Sequence, residues 1–288
     1  MTRQAVTGAT SFTGRFIAQR LEAAGDEVTN LTRTELDSTE RLEAALRGVD
    51  TLYNTFWIRF ERGPVTYRWA IERSRSIFDA ASRAGVRRVV HISVIHASHN
   101  APTAYFRAKA EVEDALTVSG LSHAIVRPTV TYGPGDILVN NLAWTLRRLP
   151  VFGVPGDGRY PIQPVHVEDV AEIAVSAGRG SENVTLDAAG PEIFAFNEFV
   201  GLVRQAVGSR AMIVHLPVAA SLAAARLIGL AVRDVVLTRH EVTELQARLM
   251  FSEQPPAGAI HLADWLAANA DRLGRRWSNE LDRHFRSG

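Results

Sequence analysis

The sequence contains no cysteine and a single lysine. Without cysteine, disulfide bonds, thiolate catalysis and thiolate zinc sites are all excluded. The first residues, 1–7, also show no long apolar stretch of the kind that forms a signal peptide. Together these two features lead us to expect a cytoplasmic protein.

Apolar runs long enough to span a membrane are missing as well. The most apolar stretch, residues 216–232, is interrupted by Pro217, Arg226 and Gly229, whereas a membrane span needs about 20 apolar residues. The 32 basic and 31 acidic residues give a net charge of +1, with no long run of either sign. We therefore expect no membrane span and no nucleic-acid partner, and we expect a small molecule as the substrate.

The single lysine is Lys109, so the other 31 of the 32 basic residues are arginine. Arginine is a broad fork that stays charged, whereas lysine is a compact ammonium on a thin stem that can reach under a ribose and change a neighbour's pKa. A lysine at this position indicates a function that arginine cannot perform. The alternative is a stray lysine that survived by chance in an arginine-rich chain.

Short apolar runs alternate with helical patterns over the first two thirds of the chain. This alternation predicts an α/β fold, a doubly wound parallel sheet of the Rossmann type with a ligand crevice at the carboxyl ends of the strands. Between residues 31 and 51 we expect at most a rudimentary strand, near Leu36. The predicted strands are residues 4–6, 28–31, 51–54, 89–93, 124–127 and 164–167, and the predicted helices include 14–24, 70–84 and 108–118.

Two domains are expected. Residues 1–178 would form the dinucleotide-binding domain, with a loop-rich insertion at about 133–160, and residues 179–288 a smaller α/β lobe that binds substrate or covers the site. A capping box at Thr238 and Glu241 predicts a helix that runs to about Leu249. For the apolar helix at 219–232 several roles stay open: core packing, a cap over the pocket, a homodimer interface or contact with a membrane surface.

A glycine-rich turn joins the first strand to the first helix. Such a turn delivers backbone N–H groups and a positive helix end to a pyrophosphate. Gly8 would make the tight turn and Gly14 would let the helix pack closely on the strand, while Ser11 occupies the middle position, where glycine is usual. The expected dinucleotide-binding residues of this turn are Gly8, Thr10, Ser11, Phe12, Thr13 and Gly14.

The end of the second strand bears on the choice between NADP and NAD. A carboxylate there would accept a hydrogen bond from the free ribose hydroxyl, and a cation would neutralise a 2′-phosphate. Arg33 stands about 25 residues after Gly8, and a guanidinium is a good bidentate phosphate ligand. This position favours NADP, with NAD as the alternative, unless Arg33 is an ordinary surface arginine.

Tyr105 and Lys109 are spaced i, i+4 at the start of a predicted helix, which stacks both side chains on one face. An ammonium near a phenol stabilises the phenolate and lowers its pKa from about 10, so that it can act as a general acid or base near neutral pH. Ser93 ends the fifth predicted strand, at the edge of the same crevice. These three residues are the candidate catalytic group.

At this point the sequence resembles the short-chain dehydrogenase/reductase superfamily, in its extended and atypical branches, which include epimerase/dehydratase-like and NmrA-like proteins. The motifs that carry the resemblance are TGATSFTG at 7–14, YFRAK at 105–109, RPT at 127–129 with YGPG at 132–135, and PVHVEDVA at 164–171. The resemblance implies that Tyr105 is the catalytic acid/base, that Lys109 binds the nicotinamide ribose and that Ser93 orients the substrate. It also implies cofactor contacts for Asp37, Asn54, Thr55, Phe56 and Pro128.

Two positions depart from the family pattern. Val94 follows Ser93 where the family often has a second hydroxyl residue, which is the catalytic one, and Arg73 stands where the family often has an asparagine that supports a proton relay. No metal site is expected, because His91, His96 and His99 have no suitably spaced carboxylate.

The leading hypothesis is an NADP-dependent oxidoreductase that transfers a hydride between nicotinamide and a small carbonyl or alcohol. One alternative is a sugar-nucleotide epimerase or dehydratase that retains NAD. The other is a non-catalytic NAD(P)-sensing regulator.

Overall fold

The computed structural model describes residues 2–284, with side chains as far as residue 282. Its strands, in chain order, are β1 (Arg3–Thr7), β2 (Glu27–Leu31), β3 (Thr51–Asn54), β4 (Arg88–Ile92), β5 (Ser122–Pro128), β6 (Val130–Tyr132), β7 (Val151–Pro155), β8 (Pro161–Ile162), β9 (Pro164–His166), β10 (Val184–Ala188), β11 (Phe194–Ala195) and β12 (Met212–Leu216).

The helices lie between these strands and after them. They are α1 (Phe12–Ala23), α2 (Arg33–Leu36), α3 (Thr39–Leu46), α4 (Tyr67–Ala84), α5 (Ala104–Val118), α6 (Leu138–Arg148), α7 (Val167–Arg179), α8 (Phe196–Ala206), α9 (Val218–Val232), α10 (Arg239–Gln246), α11 (Leu262–Asn269) and α12 (Glu280–His284). No helix within residues 2–284 is long and apolar enough to cross a membrane.

Six strands form one parallel sheet in the order β10-β5-β4-β3-β1-β2. Strands β3 and β4 are buried along their whole length, because helices cover both faces of the sheet. On one face the core contains Leu46 of α3, Phe78 of α4 and Val112 of α5, and on the other α1 packs against α7. The predicted doubly wound α/β fold is confirmed.

No strand forms near Leu36, where at most a rudimentary one was expected. That residue ends helix α2, which a reciprocal capping box between Thr32 and Glu35 opens, and Ser38 then caps α3. These side chains satisfy the first N–H groups of two short helices and so favour helix over strand. As a result, the strand that precedes Ser93 is the fourth along the chain, not the fifth.

The structure divides into two compact units. The first contains residues 1–129 and 167–188, and the second contains 130–166 and 189–288. In the second unit, β7 pairs with β12, β6 with β9 and β8 with β11. The insertion predicted as loop-rich at about 133–160 contains helix α6 and strand β7, so that prediction was wrong in detail. The functional boundary predicted between residues 178 and 179 stays a prediction. Each compact unit is made of two separate stretches of the chain, so the units do not share that boundary.

Candidate active site

The glycine turn at the end of β1 requires glycine at two positions. Gly8 has φ +65°, a left-handed conformation that side chains rarely adopt, and its carbonyl accepts a 2.7 Å hydrogen bond from the Ser11 N–H. A Cβ on Gly14 would lie 2.2 Å from the Gly8 carbonyl oxygen. The first turn of α1 therefore packs directly on the turn, as predicted from the spacing of the two glycines.

Ser11 is the N-cap of α1, and its hydroxyl accepts a 3.2 Å hydrogen bond from the Gly14 N–H. The side chain at the non-glycine position of the motif thus caps the helix. The N–H groups of Phe12 and Thr13 belong to the first turn, where helix geometry supplies no partner within the helix. They lie at the positive end of the helix dipole and suit the pyrophosphate of a dinucleotide.

A buried polar network lies beside the turn, at the carboxyl ends of β1, β3 and β4. The Thr7 hydroxyl donates to Asn54 Oδ1 at 2.9 Å, and the Asn54 amide donates to His91 Nδ1 at 3.1 Å. The Thr55 N–H in turn donates to the Thr7 hydroxyl at 2.9 Å. Asn54 is fully buried, whereas Thr55 and Phe56 are partly exposed. Of these three predicted cleft residues, only Thr55 and Phe56 present surface to a ligand.

His91 is a site residue that the sequence reasoning considered only as a metal ligand. The pKa of His91 lies well below the usual value, because the ring is buried and because the positive charge of nearby Lys109 disfavours a protonated ring. The imidazole is therefore neutral and accepts at Nδ1 from Asn54. Among residues 2–284, no group of His, Cys, Asp and Glu side chains could hold a metal ion.

Arg33 is the first residue of α2 and is exposed. The Gly8 N–H donates to the Leu31 carbonyl at 3.2 Å, so the end of β2 lies directly beside the glycine turn. Asp37, for which the resemblance implied a cofactor contact, makes an ion pair with Arg73 at 2.6 Å. Arg73 also donates to the Leu36 carbonyl. In this structure Arg73 holds the end of α2 against α4.

Lys109 lies inside the protein, with 2% of its surface exposed. Its ammonium donates to the Ile92 carbonyl at 3.0 Å and lies 4.5 Å from the centre of the Trp57 indole. Burial lowers the pKa of Lys109 to about 7, and the Glu113 carboxylate opposes that shift. The lone lysine therefore titrates near neutral pH, as few lysines do.

Tyr105 is half-buried in a group of aromatic side chains. Its ring centre lies 6.1 Å from that of Trp57, edge to face, and 6.1 Å from that of Tyr67. Trp57 also stacks on Tyr67 at 6.2 Å. Tyr105 and Lys109, spaced i, i+4 on α5, thus both lie against the same indole.

Ser93 is buried and donates a short hydrogen bond to Glu113 Oε1. The same carboxylate accepts from two nitrogens of Arg127, one of them Nε at 2.9 Å. Glu113 follows Lys109 by one helical turn, so Tyr105, Lys109 and Glu113 form a ladder along one face of α5. The predicted role of Ser93 in orienting substrate stays a prediction, and the structure shows its hydroxyl bound to Glu113.

The sequence reasoning missed Glu113 and did not place Trp57 beside Lys109. The i+8 spacing from Tyr105 could have identified Glu113, whereas no sequence signal places Trp57 over Lys109. Pro128, predicted to touch the cofactor, is buried at the end of β5, and its carbonyl accepts from the Ile95 N–H at 3.1 Å.

Residues 18–135 match the protein-family model described as NAD(P)H-binding. This segment is 118 of the 288 residues, less than half of the chain, and it does not include the glycine turn. It lies within the first compact unit except for its last residues, and it contains Trp57, Tyr105 and Lys109. The match agrees with the resemblance to the short-chain dehydrogenase/reductase superfamily, and the proteins similar to this chain include named reductases.

Two curated relatives show how differently named the proteins similar to this chain are. The (4-alkanoyl-5-oxo-2,5-dihydrofuran-3-yl)methyl phosphate reductase of Streptomyces griseus is 27% identical, over 96% of each chain. The mitochondrial NADH dehydrogenase (ubiquinone) 1 alpha subcomplex subunit 9 of Arabidopsis thaliana is 25% identical in an alignment 250 residues long that covers 77% of this chain. The match spans only 62% of the length of that subunit.

Among solved structures, the triphenylmethane reductase of Citrobacter sp., complexed with NADP(H), has a similar fold. The TM-score is 0.69 at 17% identity, and the match covers 93% of this chain and 99% of the reductase. At this identity the likeness concerns the fold alone.

Proposed function

We propose that the protein is an NADP-dependent oxidoreductase that transfers a hydride between nicotinamide and a small carbonyl or alcohol compound. The observation that carries the proposal is that Tyr105 and Lys109 contact the same Trp57 indole within the segment that matches an NAD(P)H-binding family model. A phenol beside an ammonium is suited to proton transfer at the oxygen of a carbonyl. The reductase relative from Streptomyces griseus, matched over nearly its whole length, supports the same reaction class.

The residues at the end of β1 and the start of α2 would hold the dinucleotide. The N–H groups of Phe12 and Thr13 would bind the pyrophosphate, and Arg33 would pair with a 2′-phosphate. Gly8 and Gly14 let the first turn of α1 pack closely on the glycine turn, which places these N–H groups at the end of β1. When bound, the dinucleotide supplies or accepts the hydride.

Tyr105 would transfer the matching proton. In the reducing direction its hydroxyl donates a proton to the carbonyl oxygen while the carbonyl carbon gains the hydride, and the product is an alcohol. In the oxidising direction the phenolate accepts that proton. Lys109, as an ammonium, would stabilise the phenolate that remains when the proton leaves. Below its pKa of about 7, Lys109 carries the charge that this role requires.

Trp57 sets a condition on this mechanism. Its indole covers the ammonium of Lys109 at 4.5 Å, and Lys109 is almost fully buried. For Lys109 to reach a ribose hydroxyl, the indole must rotate away from the ammonium. Trp57 lies three residues after the end of β3, in the connection to α4, where a side chain can move without breaking the sheet.

A second candidate function is binding of NAD(P) without turnover. It is favoured by the same cover over Lys109 and by the hydrogen bond that holds Ser93 to Glu113. The relative from Arabidopsis thaliana bears the name of a subunit of NADH dehydrogenase rather than of a separate reductase. This candidate predicts cofactor affinity with no consumption of NADPH.

Fluorescence titration with NADPH and NADH, followed by a screen of carbonyl compounds for NADPH oxidation, tests the proposal. An oxidoreductase binds NADPH more tightly than NADH and consumes it with at least one carbonyl. Binding without consumption across the panel would support the non-catalytic candidate. Tightly retained NAD, with substrate conversion and no net NADPH oxidation, would instead support an epimerase or dehydratase.

A further inference from the structure

One region of the second unit combines arginine with exposed apolar side chains and has no acidic residues. Residues 137–156 and 199–233 together contain six arginines and no Asp or Glu: Arg147, Arg148, Arg204, Arg210, Arg226 and Arg233. Asp136 and Asp157 flank the first segment, and Glu198 and Asp234 flank the second, so the acidic residues lie at the ends of the two segments and not within them. The segments contribute α6, β7, α8, β12 and α9, and β7 pairs with β12.

The same segments expose large apolar side chains. Of the eight large apolar residues that are most exposed in the described chain, five lie here: Leu138 at 45%, Val151 at 38%, Met212 at 62%, Leu227 at 69% and Leu230 at 70%. Leu227 and Leu230 lie on the exposed face of α9, together with Ala220, Ala223 and Ala224. That helix packs its other face, with Ala225 and Gly229, toward the protein, in contact with β7 and β12.

The arginines and the exposed leucines are connected through one chain of contacts. Just beyond α9, Asp234 accepts from the Trp277 indole at 2.9 Å, and the Trp277 ring lies 5.1 Å from that of Trp144. Arg148 lies over the Trp144 ring at 4.6 Å. The C-terminal end of α9 is thereby tied to the end of α6, where the arginines begin.

The positive charge is concentrated at that end. A cavity of about 430 Å³ is lined by Arg147, Arg148 and Arg210. Burial lowers the pKa of Arg147, and the neighbouring charges of Arg275 and Arg148 lower it further, while Asp271 opposes them. Asp234, the first acidic residue after α9, is buried and accepts hydrogen bonds from the backbone of Glu280 and Leu281.

We infer that the surface formed by α9 and the adjacent ends of β7 and β12 binds an anionic phospholipid bilayer. The exposed leucines of α9 supply apolar surface, and Arg226 and Arg233 supply positive charge with no carboxylate on the helix; these are the two contributions that hold a protein surface at an anionic lipid interface. Anionic headgroups complement the arginines, and the leucines enter the boundary between headgroups and acyl chains. A second copy of the chain fits less well, because two such surfaces would bring arginine against arginine.

Co-sedimentation of the full chain with vesicles tests this inference. We expect binding to phosphatidylcholine vesicles that contain about one third phosphatidylglycerol, weak binding to pure phosphatidylcholine, and loss of binding in about 1 M salt. The double variant Leu227→Glu/Leu230→Glu should bind at least about tenfold more weakly, and Arg226→Glu should weaken binding in the same direction.

Two matched controls separate surface chemistry from folding. Val118→Glu makes the same change at a side chain that is 82% exposed in the first unit, and Arg75→Glu reverses an exposed arginine on α4. Both should bind vesicles like the parent chain, and all variants should keep its thermal unfolding midpoint. No binding to anionic vesicles at low salt, or equal binding by the double leucine variant, overturns the inference. A dimer that the leucine variant dissociates, without vesicle binding, overturns it in favour of a second copy.

Discussion

The ammonium nitrogen of Lys109 lies 4.5 Å from the centre of the Trp57 indole and 3.0 Å from the Ile92 carbonyl oxygen. The ring and the carbonyl both favour the charged form, yet burial outweighs them and lowers the pKa of Lys109 to about 7. A lysine in this state can lose its charge within the physiological pH range. The pH dependence of stability and of activity therefore tests the environment of Lys109.

Tyr105→Phe removes the proposed proton donor and leaves the aromatic packing in place. We expect turnover to fall by about 100- to 10,000-fold, because general acid catalysis is lost. The NADPH dissociation constant should stay within about twofold, since the phenol does not hold the phosphates.

Tyr67→Phe is the matched control for Tyr105→Phe. Tyr67 packs on the same indole, but its hydroxyl donates to the Arg59 carbonyl at 3.1 Å. Its loss should cost stability of about 1 kcal/mol and leave turnover within a few-fold. Equal turnover in Tyr105→Phe and the parent enzyme would remove Tyr105 from the mechanism.

Lys109→Met should stabilise the protein at low pH. In the folded chain the pKa of Lys109 is about 7 against 10.5 for an ordinary lysine. Between these values the unfolded chain binds more protons than the folded one, so the contribution of Lys109 to the free energy of unfolding rises with pH. Below about pH 7 the parent protein carries the full cost of a buried charge, which Lys109→Met removes.

Urea unfolding across this pH range measures the effect. At about pH 6 the variant should be more stable than the parent by roughly 1–3 kcal/mol, after the loss of the hydrogen bond to Ile92 is included. The difference should shrink toward pH 10. A difference that stays constant with pH would show that Lys109 titrates normally.

Glu113→Gln should move the alkaline limit of activity to lower pH. The Glu113 carboxylate raises the pKa of Lys109, so its removal lets the ammonium lose its proton earlier. Arg127 also loses its partner in a largely buried ion pair, with a stability cost of about 1–3 kcal/mol.

The pH profile of kcat/KM separates these two effects, because a purely structural role would lower activity without moving the limit. Glu111→Gln changes an exposed carboxylate on the same helix and should leave the profile unchanged. A limit that moves to higher pH in Glu113→Gln would contradict the assignment.

Arg33→Ala should weaken NADPH binding by about tenfold or more and change NADH binding by less than about twofold, because only NADPH carries the 2′-phosphate. Fluorescence titration with both cofactors measures the difference. Arg41→Ala, at an exposed arginine of α3, serves as the control. An equal loss for both cofactors would remove Arg33 from cofactor discrimination.

Gly14→Ala should abolish dinucleotide binding and lower the free energy of unfolding by roughly 2–4 kcal/mol. Its Cβ would lie 2.2 Å from the Gly8 carbonyl oxygen, and the backbone there would have to move. Gly201→Ala is the control, because nothing lies within 4 Å of the added atom and the residue is inside α8. That change should increase stability by up to about 1 kcal/mol, measured by urea unfolding.

Local patterns in the sequence were sufficient to predict the sheet and the glycine turn. The alternation of apolar runs with helical periodicity is imposed by a sheet buried on both faces, and the turn conformation follows from Gly8 and Gly14 themselves. The convergence of Tyr105 and Lys109 was also predictable, because i, i+4 spacing on a helix places two side chains on one face. No strand forms near Leu36, because the capping side chains of α2 and α3 stabilise helix in that segment.

Only the tertiary structure decided what surrounds these residues. Strand β7 was not predicted because Pro150, Gly153 and Pro155 give that segment the composition of a loop. In the structure Gly153 allows the close approach of Leu216 from the partner strand β12. Trp57 reaches Lys109, and Ser93 reaches Glu113, through pairing of distant strands and packing of α5, which no local pattern encodes. The sequence by itself determined which groups could do chemistry, and the packing of distant segments set their charge, burial and partners, because desolvation and contact depend on where the whole chain lies.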